Sequence, residues 1–259
     1  MALDIKAYLK KCEPLYNTIS SLHLYLNRHK QLCDVPIDIC TNPMGFSLAP
    51  SGWNYLIEQL REFDSEPNSR VEDSVLFKFH RLYQPNNMSD LPLSAGANVT
   101  FKPGLSIYPW GSFKIVESGA DIRKKKAYTS RFYGPSSYEL IEKDLINLKK
   151  LYEYIKVHGY KPWRFKKAFI GGVFLEGRDG QRKFVVLQGN HRTAIMSHLG
   201  CESIQVRYLK GYYKHIYEEN MKDWLYVKTG YCTEEDAKKY FDSLFTLNGH
   251  ERAKRMGFE

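Results

Sequence analysis

The sequence predicts an α+β fold, a small mixed sheet with helical additions on both its N- and C-terminal sides. Two observations carry that expectation. The stretch FVVLQGNHRTAIMSHLGCESIQV reads as an apolar strand (residues 184–187), a tight polar turn, a helix over residues 193–198 stopped by Gly200, and a second strand over Ser203–Tyr208. Ahead of it, a helical period through Leu140, Ile141, Leu145, Leu148, Leu151 and Ile155 is followed by an apolar segment over residues 168–175 that reads as a pairing strand. At 259 residues and 43% hydrophobic content, the chain can bury one large core or two small ones.

The first 120 residues read as a mostly helical and irregular accessory region. Leu3, Ala7, Leu15, Ile19, Leu22 and Leu26 follow a helical period, which Pro14 breaks or restarts. Ser51 can cap a helix over residues 52–63, whose buried face would carry Trp53, Leu56, Ile57 and Leu60. After a polar linker over residues 64–73, residues 75–82 suit a strand or a short helix, and residues 85–101, rich in Asn, Pro, Ser and Gly, suit a long loop. The aromatic segment LSIYPWGSF either packs in the core or stacks on a base, and core packing is the commoner use. Beyond the second motif strand, residues 212–227 read as one aromatic helix. Thr233-Glu234-Glu235-Asp236 opens another that runs to about Phe245, and a last helical turn or two closes the tail.

The motif turn has the makings of an anion trap. A helix start leaves backbone N–H groups unpaired and carries partial positive charge, and here Gly189, Asn190, His191, Arg192 and Thr193 stand beside one. Gly189 lets the backbone approach a ligand closely, Arg192 would clamp phosphate oxygens bidentately, and His191 would donate to a further phosphate oxygen. Thr193 supplies a helix-start hydroxyl. A second helix start follows Gly134-Pro135, where Ser136 or Ser137 can act as the N-cap and Glu139 sits in the first turn.

The string LQGNHRTAIMSHLG followed by IQV resembles the signature of the ParB/sulfiredoxin superfamily, with the likeness covering roughly residues 133–210. The resemblance implies a nucleotide site, ATP or CTP, in which the turn and helix hold the phosphates. It also implies that the two helix starts lie near each other, so that Ser136 and Ser137 would hold a phosphate or a substrate hydroxyl and Glu139 would serve as general base. Sulfiredoxins have a catalytic cysteine where this chain has Asn190. The free-serine-kinase branch has an acid where this chain has Gln188, although Glu139 stands close to that branch's glutamate. The chromosome-partitioning branch adds a helix-turn-helix reader, for which the sequence gives no signal.

Charge concentrates where the motif lies. Residues 121–210 hold 19 Lys+Arg against 8 Asp+Glu, a balance of +11, whereas the remainder stands at −2. Such a field would gather any polyanion, including nucleotide, nucleic acid, anionic glycan or acidic lipid. Arg252, Lys254 and Arg255 are too few and too near the end to argue for DNA. Five cysteines without a C-x-x-C pair disfavour disulfides and a cysteine-rich zinc site, and His158, His198, His215 and His250 have no ligand spacing. No apolar run is long enough to cross a bilayer and no secretory h-region opens the chain, so a cytoplasmic location is expected.

The expected architecture is therefore a ParB/sulfiredoxin-like nucleotide-binding core over residues 121–211, an accessory region over 1–120 and a helical extension over 212–259. The expected function is an ATP- or CTP-dependent phosphotransferase or NTPase, with Mg²⁺ bridging the triphosphate and a small metabolite or surface-glycan precursor as acceptor. Catalysis would fall to Glu139 and His191. The alternative is a nucleotide-gated regulatory or DNA-associated protein without metabolite turnover, which Gln188 favours and the missing reader helix disfavours. A metal-dependent nuclease would need a carboxylate cluster that the motif lacks.

Overall fold

A computed structural model of the chain describes residues 32–84, 108–111, 132–162, 169–208, 214–230 and 232–259. The helices expected over residues 3–28, the loop over 85–101, part of the basic stretch over 121–210 and most of the aromatic segment lie outside these residues. The described chain is α+β. Its strands are β1 (Leu32–Pro36), β2 (Cys40–Thr41), β3 (Ile170–Glu176), β4 (Arg182–Gln188), β5 (Ser203–Tyr208) and β6 (His215–Tyr217). Its helices are α1 (Tyr55–Ser65), α2 (Val75–Leu82), α3 (Tyr138–His158), α4 (Asn190–His198), α5 (Leu225–Lys228), α6 (Glu234–Thr246) and α7 (His250–Arg255).

The six strands form one mixed sheet in the order β1-β5-β3-β4-β2. β4 runs antiparallel to β3, with Glu176 opposite Arg182 and Gly171 opposite Gln188, while β5 and β6 share the other edge of β3 in succession, both parallel to it. A bulge falls between Gly171 and Gly172. A side chain at Gly172 would come within 2.1 Å of the Val185 carbonyl, so only glycine lets the two strands approach there. Strands β1, β2 and β6 come from outside residues 121–211, so all three expected regions contribute to the sheet.

Both faces of the sheet are covered, which is why β4 reads FVVL instead of alternating apolar with polar residues. Ile170, Phe184, Val186, Ile204 and Val206 join a core with Leu56 and Leu60 of α1, Leu148 and Ile155 of α3, and Ile195 of α4. Val173, Leu175, Val185 and Ile216 join a second core with Trp110, Trp224, Tyr240, Phe241 and Leu244. Trp110 is fully buried and stacks on Tyr108 at 5.7 Å, so these rings of the aromatic segment serve packing.

Two local expectations change, and one open alternative resolves. The helix expected after Ser51 starts at Tyr55, because Asn54 accepts the Leu56 N–H (3.0 Å) and is the cap. Residues 75–82 are helical, with the Ser74 hydroxyl accepting the Phe77 N–H at 3.2 Å. The single aromatic helix expected over residues 212–227 is replaced by β6, a 3-10 turn over Glu218–Asp223 and the short α5. His215-Ile216-Tyr217 alternates about a buried Ile216 and pairs with β3, so sheet completion overrides the helical spacing of the aromatic residues.

The loop after β2 is buried in spite of its polar sequence. Asn42 Oδ1 accepts from the Met44 and Phe46 N–H groups at 2.9 and 3.0 Å, and the Tyr240 hydroxyl donates to the Pro43 carbonyl at 2.9 Å. Arg252 donates to the Met44 carbonyl and lies over the Phe46 ring, so α6 and α7 fasten this loop beside β4.

Candidate functional site

The motif turn is a strand–glycine–helix junction. Gly189 has φ 96° and ψ 25°, in the left-handed region that favours glycine, and an added Cβ would stand 2.9 Å from Arg192 Nη2 and 3.1 Å from Ile170 Cγ1. The helix begins earlier than its sequence suggests, at Asn190, so Asn190, His191 and Arg192 form its first turn. Among the described residues no side chain caps α4. Side chains do cap α1, α2, α3 and α6, namely those of Asn54, Ser74, Ser137 and Thr233.

Each residue of that first turn has a definite placement. Asn190 Nδ2 donates to the Val186 carbonyl at 3.1 Å, and its Oδ1 is buried with no hydrogen-bond partner among the described residues. His191 Nε2 lies 3.3 Å from Asp144 Oδ2 on α3, with the imidazole 20% exposed and the carboxylate 10%. Arg192 turns inward and is buried. Its guanidinium donates to the Tyr160 hydroxyl (3.4 Å) and the Phe169 carbonyl (3.5 Å), beside the Tyr160 ring. Burial pushes the Tyr160 hydroxyl up to about 12, so it stays protonated, and its oxygen also accepts the Ile170 N–H at 3.1 Å. Thr193 is fully buried, and its hydroxyl donates back to the Gly189 carbonyl at 3.2 Å. The cationic fork expected to face a ligand thus packs beneath the turn, while His191 keeps a partly exposed edge.

At the second helix start, Ser137 is the N-cap, its hydroxyl accepting the Leu140 N–H at 3.3 Å. Glu139 is exposed, and its own backbone N–H, followed by the Ser137 hydroxyl, holds its carboxyl below the usual range. Ser136 lies apart from both. Its hydroxyl is 3.1 Å from Nδ1 of His80, a ring on α2 that is almost completely buried. Among the described residues, no hydrogen bond or ion pair joins Ser137 or Glu139 to the α4 turn. Asp144 of α3 lies within ion-pair distance of His191, and its charge favours the protonated form of the His80 ring.

Asp144 and His80 are the residues that sequence reasoning missed. The signal was present for both: Asp144 occupies an inward position in the series Ile141, Asp144, Leu145, Leu148, and His80 follows Leu76 and Phe79 on the buried face of α2. A carboxylate or an imidazole inside an apolar stripe requires a partner. A further polar group fastens the helices around the site. Asp64 of α1 accepts from the Tyr152 hydroxyl (2.7 and 2.8 Å), from Lys156 (3.0 Å), and pairs with His198 of α4 (2.8 Å).

Among the described residues no group of three His, Cys, Asp or Glu side chains is placed to hold a metal ion, and no helix is long and apolar enough to cross a membrane. No family model matches the chain, and no curated protein matches it.

Proposed function

We propose that the chain is a nucleotide-binding enzyme of the ParB/sulfiredoxin kind, which takes ATP or CTP at the Gly189–α4 turn and transfers or releases a phosphoryl group. The observation that carries this reading is the start of α4. A left-handed glycine leads from a buried strand into a helix without a side-chain cap, beside a partly exposed imidazole. That arrangement suits a phosphate, the ligand expected from the motif. The positive balance of residues 121–210 favours the same guest.

In this reading the first-turn N–H groups and His191 meet the phosphates, Asp144 orients His191, and Arg192 shapes the turn from below. Mg²⁺ would arrive with the nucleotide, held chiefly by phosphate oxygens and water, as this ion commonly is. Glu139 is the base for an acceptor hydroxyl on a small metabolite or surface-glycan precursor, in a cytoplasmic protein. Ser136 and Ser137 supply hydroxyls at the start of α3, for a phosphate or the acceptor.

The test is nucleotide turnover, followed as release of the nucleoside diphosphate with ATP and CTP, in wild type, His191→Ala and Glu139→Ala. A phosphotransferase loses turnover in both variants, on the order of 10²-fold for the base, and loses nucleotide affinity mainly in His191→Ala. The second reading, a nucleotide-gated regulatory or DNA-associated protein, is favoured by Gln188, whose amide donates towards the Phe169 carbonyl (3.5 Å) where the kinase branch has an acid. That protein would bind nucleotide, turn it over slowly if at all, and tolerate Glu139→Ala.

A further inference from the structure

The Ser136–His80 contact is not used by the site described above. Ser136 is partly buried between exposed neighbours and directly precedes the cap of the 21-residue α3. Its Oγ is 3.1 Å from His80 Nδ1, and the same ring hydrogen-bonds the Tyr133 carbonyl. We assign the ring's proton to Nε2, which leaves Nδ1 as the acceptor of the Ser136 hydroxyl proton. A hydroxyl, a neutral imidazole that accepts from it, and a third group that orients the imidazole make up the constellation of an activated nucleophile.

Burial pushes His80 down to about 4, so the ring is neutral and its lone pair available at neutral pH. The charge of Asp144 and the Tyr133 carbonyl act in the opposite sense and favour the protonated ring. These two groups offset only in part the cost of burying the imidazolium that forms when Ser136 gives up its proton. Asp144 is the same residue that lies 3.3 Å from His191 at the start of α4.

We propose that Ser136 is a nucleophile, with His80 as its base, and that it accepts the terminal phosphoryl group of the bound nucleotide. Ser136 Oγ forms a bond to the γ-phosphorus, the bond from that phosphorus to the β,γ-bridging oxygen breaks, the nucleoside diphosphate leaves, and the Ser136 proton passes to His80 Nδ1. An acceptor hydroxyl or water then attacks the phosphorus of the phosphoserine and gives its proton to Glu139, the bond from phosphorus to Ser136 Oγ breaks, and His80 returns its proton to that Oγ. The choice of donor rests on the nucleotide reading above, whereas the nucleophile itself does not.

Two probes separate these parts. A fluorophosphonate, which loses fluoride on attack by an activated serine, is applied to folded and denatured wild type, Ser136→Ala and His80→Gln, with the labelled residue mapped by mass spectrometry. ATP and CTP labelled in the γ-phosphoryl group are applied with Mg²⁺ to the same proteins, and nucleotide binding is followed in parallel by thermal shift. The expected result is fluorophosphonate and phosphoryl label on Ser136 of the folded protein only, with labelling slowed on the order of 10²-fold in His80→Gln. Ser136→Ala keeps the inference testable if His80→Gln does not fold. Absence of fluorophosphonate label on folded wild type overturns the nucleophile. Fluorophosphonate label without phosphoryl label, in a protein that nucleotide still stabilises, overturns the transfer step alone. A protein that no nucleotide stabilises overturns the nucleotide reading and the transfer step together.

Discussion

His191 Nε2 lies 3.3 Å from Asp144 Oδ2, which ties the first turn of α4 to the second turn of α3. The contact joins the strand–glycine–helix turn to the helix that carries Ser137 and Glu139 at its start. It makes Asp144, a residue inside an apolar stripe, the link between the two helix starts. Asp144→Ala leaves the ring without this partner, and we expect a loss of about 1–3 kcal/mol in urea unfolding together with weaker nucleotide stabilisation. An unchanged response to nucleotide would remove Asp144 from the site.

Gly189→Ala places a side chain at φ 96°, 2.9 Å from the Arg192 guanidinium and 3.1 Å from Ile170. Strain of this kind costs about 1–3 kcal/mol, and it would displace Arg192 from beneath the turn. The expected outcome is a lower urea midpoint with an unchanged slope.

Tyr160→Phe removes one oxygen that meets Ile170 and Arg192 among the described residues. The buried Ile170 N–H loses its acceptor at 3.1 Å, and Arg192 loses a contact at 3.4 Å. A destabilisation of about 1–3 kcal/mol follows from the unsatisfied amide. Hydrogen exchange should quicken at Ile170 first, since that amide opens to water without global unfolding.

Asp64 makes stability depend on acid pH. The Tyr152 hydroxyl above all, and then His198 and Lys156 against the opposing effect of burial, lower its carboxyl from 3.8 to about 2. A carboxylate depressed on folding contributes stability that is present above 3.8 and is lost as pH falls towards 2. Because the side chain is 42% exposed, screening keeps the contribution small. Asp64→Asn should flatten the stability–pH curve across that window, which urea midpoints measured at successive pH values would reveal.

The motif and its flanks were legible because local chemistry decided them. Ser203–Tyr208 has the bounds its apolar run gave, α3 follows the Leu140–Ile155 period, and Thr233 caps α6 as its acidic first turn suggested. The elements that escaped depend on distant partners. β1 takes its place from pairing with β5, and β2 is only two residues long, held by β4 and by a loop that Tyr240 and Arg252 fasten from the far end of the chain. At the site, the glycine turn at Gly189 and the helix after it were readable from residue type, although the helix starts three residues before the expected Thr193. The inward turn of Arg192 was not, because it depends on Tyr160 and the Phe169 carbonyl, which lie 32 and 23 residues away in sequence.

Thermal stabilisation by ATP, CTP, GTP and ADP with Mg²⁺, in wild type and His191→Ala, tests the central claim most directly. Bound nucleotide at a hundred times its Kd adds about 2.7 kcal/mol of stability. The account predicts a rise in melting temperature with ATP or CTP that His191→Ala abolishes while the variant itself stays folded. A wild-type protein whose melting temperature none of the four nucleotides moves would contradict it.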